Sequence, residues 1–142
     1  MKIPDNSIVF ATVDLEIPFF DVDSMGITWH GNYIKYFEIA RCALLKKIDY
    51  DYIAMLDSGY GWPVVDMRVK YIKPTEFKQQ IVVAAFLIEY ENRLKLEYLI
   101  SDKNTNAKLT TGYSIQVAVD LETKEMCFSS PDILLHKLQK FL

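Results

Sequence analysis

The sequence has few cysteines and few histidines, and this scarcity argues against a protein stabilised by disulfides and against a metal-binding protein. Its 142 residues include two cysteines, Cys42 and Cys127, and two histidines, His30 and His136. Because no C-x-x-C pair or cysteine–histidine cluster is present, we expect neither a disulfide framework nor a metal site. We expect both cysteines to be reduced residues of the core and His136 to lie on the surface.

The sequence also lacks a long apolar run and any cluster of basic residues. No stretch approaches the roughly 18 apolar residues of a membrane span, and Pro4 and Asp5 interrupt the segment where a signal peptide would be apolar. The net charge of −3, from 16 basic and 19 acidic residues, disfavours nucleic acid as a partner. No glycine-rich phosphate loop indicates a nucleotide cofactor. We therefore expect a cytoplasmic protein without a cofactor that binds neither membranes nor nucleic acid.

The composition that is present belongs to an ordinary folded protein. Apolar residues make up 51% of the sequence and charged residues 25%, a balance that predicts a packed core. Single domains commonly contain roughly 100–200 residues. We therefore expect residues 1–142 to form one domain.

Five segments alternate apolar with polar residues or are apolar throughout, as β-strands are. They cover residues 9–17, 65–71, 81–88, 94–100 and 109–119. The fully apolar segment 81–88 predicts a central strand. The polar turn between the last two segments predicts a hairpin.

One long helix is expected between the first strand and the others, at residues 32–47. Its apolar residues recur at the spacing of one buried helix face, and they are Tyr33, Tyr36, Phe37, Ala40 and Leu44. A short final helix is expected after Ser130 as N-cap, with Pro131 at the first helical position. One strand, a long helix and then several strands predict an α+β domain whose antiparallel sheet packs against the helix.

The segment between the first strand and the helix contains the most informative residues for function. Asp21 and Asp23 lie in a glycine-containing loop just before the helix start. The unpaired N–H groups of a helix start can stabilise an oxyanion, and a nearby carboxylate can attack a carbonyl or activate water. Aspartates are also common in ordinary turns, so the spacing alone leaves both interpretations open.

The segment FFDVDSMGITWHGNYIKYFEIAR resembles the signature of the 4-hydroxybenzoyl-CoA thioesterase-like family of hotdog acyl-CoA thioesterases. In that family an Asp-x-Asp loop is followed by Gly, an aromatic–His pair, Asn-Tyr, and a helix that carries Glu and Arg. The resemblance implies a hotdog fold, hydrolysis of an acyl-CoA to free acid and CoA, and a homodimer or homotetramer with the pocket between subunits.

The resemblance also implies roles for individual residues. Asp23 matches the catalytic carboxylate, either as nucleophile or as general base, whereas Asp21 shapes the loop. His30 is the second catalytic candidate, through its backbone N–H or through an imidazole that transfers protons near neutral pH. Gly31 contributes an N–H group to the oxyanion hole, and Tyr33 is a further substrate-binding candidate.

Four more residues receive assignments by resemblance. Glu38 and Arg41 match helix positions of the family, and because their i,i+3 spacing allows an ordinary surface ion pair we assign them a structural role. Glu38 is also the alternative catalytic carboxylate, because other hotdog enzymes place theirs on this helix. Arg93 and Lys95 are our candidates for binding the CoA phosphates. The aromatic residues that could line an acyl pocket are Phe19, Phe20, Trp29, Tyr33 and Trp62.

Two other functions stay open at this point. A hotdog dehydratase or hydratase would require a different sequence context from HGNYIKYF, and Asp23 argues against a non-catalytic acyl-CoA-binding domain. The sequence does not select the acyl group or distinguish CoA from an acyl carrier protein, because one fold hosts many acyl chemistries.

Overall fold

The computed structural model describes all 142 residues and has a five-stranded antiparallel sheet packed against one long helix. The α+β arrangement expected from the sequence is therefore confirmed. In chain order the elements are β1 (Val9–Glu16), α1 (Asn32–Lys47), α2 (Tyr52–Asp57), β2 (Tyr60–Gly61), β3 (Val64–Tyr71), β4 (Gln80–Glu89), β5 (Leu94–Asp102), β6 (Lys108–Gln116), β7 (Val119–Asp120) and α3 (Asp132–Leu138).

The strands of the sheet follow the order β1-β4-β5-β6-β3, so β4 and β5 are interior and β3 is an edge. Strand β4 is the apolar run that predicted a central strand, and most of its residues are buried. Strands β5 and β6 form the expected hairpin, with Tyr98 opposite Gly112. Alternate residues of β5, beginning with Leu94, are buried on one face, as period-2 patterning requires.

Helix α1 covers the sheet with the apolar face that the sequence predicted. Its residues Tyr33, Tyr36, Phe37, Ala40 and Leu44 are all buried. The ring of Phe37 stacks on Tyr98, with centroids 4.5 Å apart. Gly112 makes this contact possible, because a Cβ there would lie 2.6 Å from the Phe37 ring and 2.3 Å from the carbonyl oxygen of Arg68.

The expectation that both cysteines are core residues is wrong for Cys42, which is exposed, while Cys127 is partly buried. Successive helical residues are rotated by about 100°, so position 42 lies about 200° from the buried Ala40. Cys42 is therefore on the face of α1 that points away from the sheet.

Two boundaries also differ from those expected. The strand at 109–119 ends at Gln116, and Val119 instead pairs with Gly61 in a separate two-stranded sheet. Ser130 is not the N-cap of α3, because Pro131 occupies that position. The backbone N–H of Ser130 donates to the carbonyl of Glu91, which holds this serine outside the helix.

The two ends of β3 define two ends of the sheet, which we name the loop end and the far end. At the loop end, Tyr71 Oη donates to the carbonyl of His30, 3.0 Å away, and so fastens the strand to the loop of residues 17–31. At the far end, Val64 pairs with Gln116. A strand of eight residues spans about 25 Å, so the two ends are well separated.

The helices of the structure are either too short or too polar to cross a lipid bilayer.

Candidate active site

Asp21 is buried under the start of α1, where it anchors the loop to the helix. Its carboxylate is 3% exposed and accepts hydrogen bonds from Lys35 Nζ at 2.6 Å and from Tyr36 Oη at 2.7 Å. Burial, together with the hydrogen bond to Asp21, raises the pKa of Tyr36 above its ordinary value, so the hydroxyl remains a donor. These contacts agree with the role in loop shaping expected for Asp21.

The backbone of Asp21 adds two further constraints on the loop. Its carbonyl accepts hydrogen bonds from the Trp29 N–H at 2.9 Å and from Asn32 Nδ2 at 2.8 Å. Residues 21 and 29 are therefore held together at the base of the loop, and residues 23–26 between them are exposed to solvent.

Asp23 lies in this projecting segment and is exposed. Its Oδ1 accepts a hydrogen bond from the Met25 N–H at 2.9 Å, and its own N–H donates to the carbonyl of Ile27 at 2.8 Å. Gly26 closes the turn with a φ of +75°, a conformation that glycine adopts without steric cost. The second carboxylate oxygen, Oδ2, accepts no hydrogen bond from the chain and is available for chemistry.

The start of α1 supplies the hydrogen-bond donors expected beside this carboxylate. The backbone N–H groups of His30 and Gly31 donate to no acceptor in the chain, and Gly31, the N-cap, offers no capping side chain. Unpaired N–H groups at a helix start carry partial positive charge that favours a negatively charged oxygen. Trp29 lies over Gly31, where a Cβ would be 2.1 Å from the indole ring.

The side chains of His30 and Tyr33 differ in accessibility. The imidazole of His30 is exposed and packs against the Trp29 ring at 5.0 Å between centroids, without a hydrogen bond to Asp23. The Tyr33 hydroxyl is buried and accepts a hydrogen bond from the Thr75 N–H at 3.1 Å. The hydroxyls of Thr28 and Thr75 are also hydrogen-bonded to each other, which ties the loop to the chain before β4.

Glu38 and Arg41 form the expected ion pair, but the guanidinium is not on the surface. The Arg41 side chain is only 15% exposed and lies in the wall of a cavity of about 600 Å³ between α1, α2, β2 and the start of β3. We name this space the Arg41 cavity. Most of its lining is apolar and includes Leu45, Met55 and Trp62.

The other predicted binding residues are distributed over the molecule. Arg93 is paired with Glu89 at 2.7 Å, and Lys95 lies over the ring of Tyr113; both are at the far end of the sheet. Within one copy they are therefore remote from Asp23. Of the predicted aromatic residues, Trp62 lines the Arg41 cavity, whereas three others lie at the exposed loop end, namely Phe19, Phe20 and Trp29.

Comparison with known proteins identifies the group to which this chain is related. The thioesterase-like superfamily matches residues 17–138, which include the aspartate loop, α1 and every strand of the sheet except β1. The chain belongs to this superfamily. A relative described as a putative acyl-CoA thioesterase, YneP from Bacillus subtilis, is 32% identical over 78% of this chain and 80% of its own length.

Solved structures confirm that this superfamily member has the hotdog fold. A 1,4-dihydroxy-2-naphthoyl-CoA thioesterase from Synechocystis superposes with a TM-score of 0.82 at 14% identity, covering 92% of this chain and 96% of that one. A DHNA-CoA thioesterase from Staphylococcus aureus gives a TM-score of 0.80 at 24% identity, covering 93% of this chain and 87% of that one.

Sequence reasoning missed several residues of this superfamily member's site. Lys35 and Tyr36 lie one turn into α1, and their proximity to Asp21 in sequence is a signal that could have suggested a buried carboxylate with two donors. The residues that line the Arg41 cavity give no such signal. The cavity depends on α2, a six-residue helix capped by Asp51, which is too short to show a periodic pattern.

The substitution Asp21→Asn should lower the free energy of unfolding by about 2 kcal/mol or more, because it removes the negative charge that Lys35 and Tyr36 satisfy in a buried site. Urea unfolding followed by circular dichroism measures this change. The matched control is Asp5→Asn at an exposed position, where we expect almost no effect. An equally small effect at Asp21 would contradict the anchoring role.

Proposed function

We propose that this protein is an acyl-CoA thioesterase that hydrolyses an acyl-CoA to the free acid and CoA in the cytoplasm, with residues 1–142 acting as one hotdog domain. The observation that carries the proposal is the exposed Asp23 carboxylate, with one unpaired oxygen, in the loop that leads directly to a helix start with unpaired N–H groups. Membership of the thioesterase-like superfamily and the similarity to YneP support it.

In the proposed reaction the thioester carbonyl oxygen accepts hydrogen bonds from the N–H groups of His30 and Gly31. These donors become stronger partners as negative charge develops on that oxygen, so they lower the barrier. Asp23 then acts in one of two ways: its carboxylate attacks the carbonyl carbon, and water later cleaves the anhydride, or it removes a proton from a water that attacks directly. In both routes the C–S bond breaks and CoA leaves as the thiolate.

His30 and Tyr33, which follow Asp23 in the chain, have different proposed roles beside it. The exposed His30 imidazole is free to orient water, whereas the buried Tyr33 hydroxyl is already hydrogen-bonded, so its ring offers the surface for substrate. Glu38, the alternative carboxylate, is held by Arg41 and therefore has less freedom to react than Asp23.

The edge strand β3 supports a homodimer as the active form, alone or paired into a homotetramer. It presents eight residues of backbone without a neighbour on one side. Natural proteins rarely leave so long an edge uncovered. Its apolar residues Val65 and Tyr71 are about half exposed, which suits a second copy of the same strand.

Antiparallel pairing of β3 across a two-fold axis would bring unlike ends of the two sheets together. The loop end of one copy, with Asp23, would then lie beside the far end of its partner. That far end holds the Arg41 cavity, which is remote from Asp23 within one copy. The dimer would thus supply an apolar acyl pocket, while Arg93 and Lys95, near the same end of the sheet, remain our candidates for the CoA phosphates, with Lys95 on the sheet face opposite the cavity.

The substitution Asp23→Asn should lower kcat/KM for acyl-CoA hydrolysis by at least about 100-fold, because the amide neither attacks nor accepts a proton effectively. The release of free thiol from a panel of aliphatic and aromatic acyl-CoAs measures this loss. The asparagine oxygen still accepts the Met25 N–H, so thermal unfolding should be unchanged. Ser24→Ala, at the exposed neighbouring position, is the matched control and should retain activity. An active Asp23→Asn enzyme would refute the assignment.

The proposed homodimer, alone or paired into a homotetramer, predicts a sedimenting species of two or four 16.5 kDa chains at micromolar concentration. Replacing the central edge residue Arg68 with proline should shift the mass toward one chain, because proline removes a backbone donor and is poorly accommodated between paired strands. Sedimentation velocity distinguishes the two species. A wild-type protein that sediments as a single chain would argue against the shared site.

A further inference from the structure

A second cavity lies on the face of the sheet that points away from α1. Tyr98 faces the helix, where it stacks on Phe37. Successive residues of a strand point to opposite faces, so Glu97 and Leu99 face away from the helix. Strand register places four residues of this outward face in one row across β4, β5, β6 and β3, namely Phe86, Glu97, Tyr113 and Arg68. These residues help to line a cavity of about 420 Å³, which we name the outer cavity.

The outer cavity is basic, although the chain as a whole has a net charge of −3. One carboxylate, that of Glu97, lies among four cationic side chains, which are those of Lys2, Arg68, Lys70 and Lys108. The salt bridges of the chain all involve other residues, so nothing in the chain neutralises these cations. A concave site with an excess of one charge attracts ions of the opposite sign.

The fold gathers these cations from three separate parts of the sequence. Lys70 and Lys108 belong to the neighbouring strands β3 and β6. Lys2 joins them because the nitrogen of Met1 donates a hydrogen bond to Asn106 Oδ1 at 3.1 Å, which fastens the start of the chain to the turn before β6. Like charges brought together in this way repel one another, and a bound anion relieves that repulsion.

The lining of the outer cavity restricts the chemistry of that anion. Lysine and arginine side chains bind phosphate groups through charge-assisted hydrogen bonds. The buried Phe86 and the partly buried Leu99 add apolar surface beside the cations, which suits a carbon skeleton attached to the phosphate. The volume is that of a site for a small molecule.

We propose that the outer cavity binds the phosphate groups of a small molecule. This inference goes beyond the proposed thioesterase function and does not depend on it. The chemistry has two sources, the nucleotide part of CoA and a separate phosphorylated molecule. Tyr71, which holds His30, packs against Tyr33 of α1, so the proposed thioester site is on the helix side of the sheet. The sheet therefore lies between that site and the outer cavity, which favours a separate molecule.

Calorimetric titration with pyrophosphate tests the site directly, because this probe carries the proposed chemistry and its binding requires no hydrolysis. We expect saturable binding by the wild type and at least about 10-fold weaker binding by the double variant Lys70→Gln/Lys108→Gln, which loses two attracting charges. The matched control Lys124→Gln/Lys140→Gln removes two charges at exposed positions outside the cavity and should keep the wild-type Kd. All titrations use one salt concentration, because salt screens such interactions.

Glu97 provides a test of the opposite sign. Glu97→Gln removes the carboxylate that repels an anion in the cavity, so pyrophosphate should bind about two- to fivefold more tightly. Glu122→Gln makes the same change at an exposed position outside the cavity and should leave the Kd unchanged. An unchanged or weaker affinity in Glu97→Gln would contradict the placement of the anion beside this residue.

Two results would overturn the proposal and leave the thioesterase function untouched. They are the absence of saturable pyrophosphate binding by the folded wild type, and equal weakening in the double variant and its control. Repeating the wild-type titration in excess CoA distinguishes the two sources. Competition by CoA would assign the site to the nucleotide of CoA, whereas an unchanged pyrophosphate affinity would assign it to a separate phosphorylated molecule.

Discussion

The geometry of this site depends on the buried carboxylate of Asp21. Its two oxygens are held by Lys35 and Tyr36 of α1, and its carbonyl holds the N–H of Trp29. The loop can neither lift from the helix nor slide along it without leaving a buried charge unpaired. Because Asp23 is only two residues away, this anchor fixes the proposed catalytic carboxylate relative to the helix start while Asp23 itself stays exposed.

A second constraint is the length of the sheet. A strand of about 25 Å separates the loop end from the far end, so the Asp23 carboxylate and the Arg41 cavity are remote from each other within one copy. The uncovered edge of β3 offers a physical way to unite them, since antiparallel pairing of the same strand reverses the ends. The proposed dimer would therefore do more than stabilise the protein, because it would complete the substrate-binding site.

Most of the architecture was predictable because it follows from local periodicity. Alternation specified the strands of the sheet, and the apolar face from Tyr33 to Leu44 specified α1. The position of Asp23 and the free helix start were also accessible from sequence, although the burial of Asp21 was not. The Arg41 cavity was not predictable, since Arg41 occupies a polar position of the helical pattern and is buried only through tertiary contacts around α2 and Gln116. Cys42 was misassigned although helical periodicity alone places it about 200° from Ala40, on the face of α1 that points away from the sheet.

The most direct test of a site shared between copies is activity in purified heterodimers of two inactive variants. One copy carries Asp23→Asn with an intact cavity, and the other carries Asp23 with Cys42→Trp, chosen to obstruct the Arg41 cavity because Cys42 is part of its lining. Each homodimer should be inactive, whereas the heterodimer should recover about half of the wild-type activity, because one of its two sites combines two intact parts. A heterodimer as inactive as both homodimers, with its mass confirmed, would contradict the account.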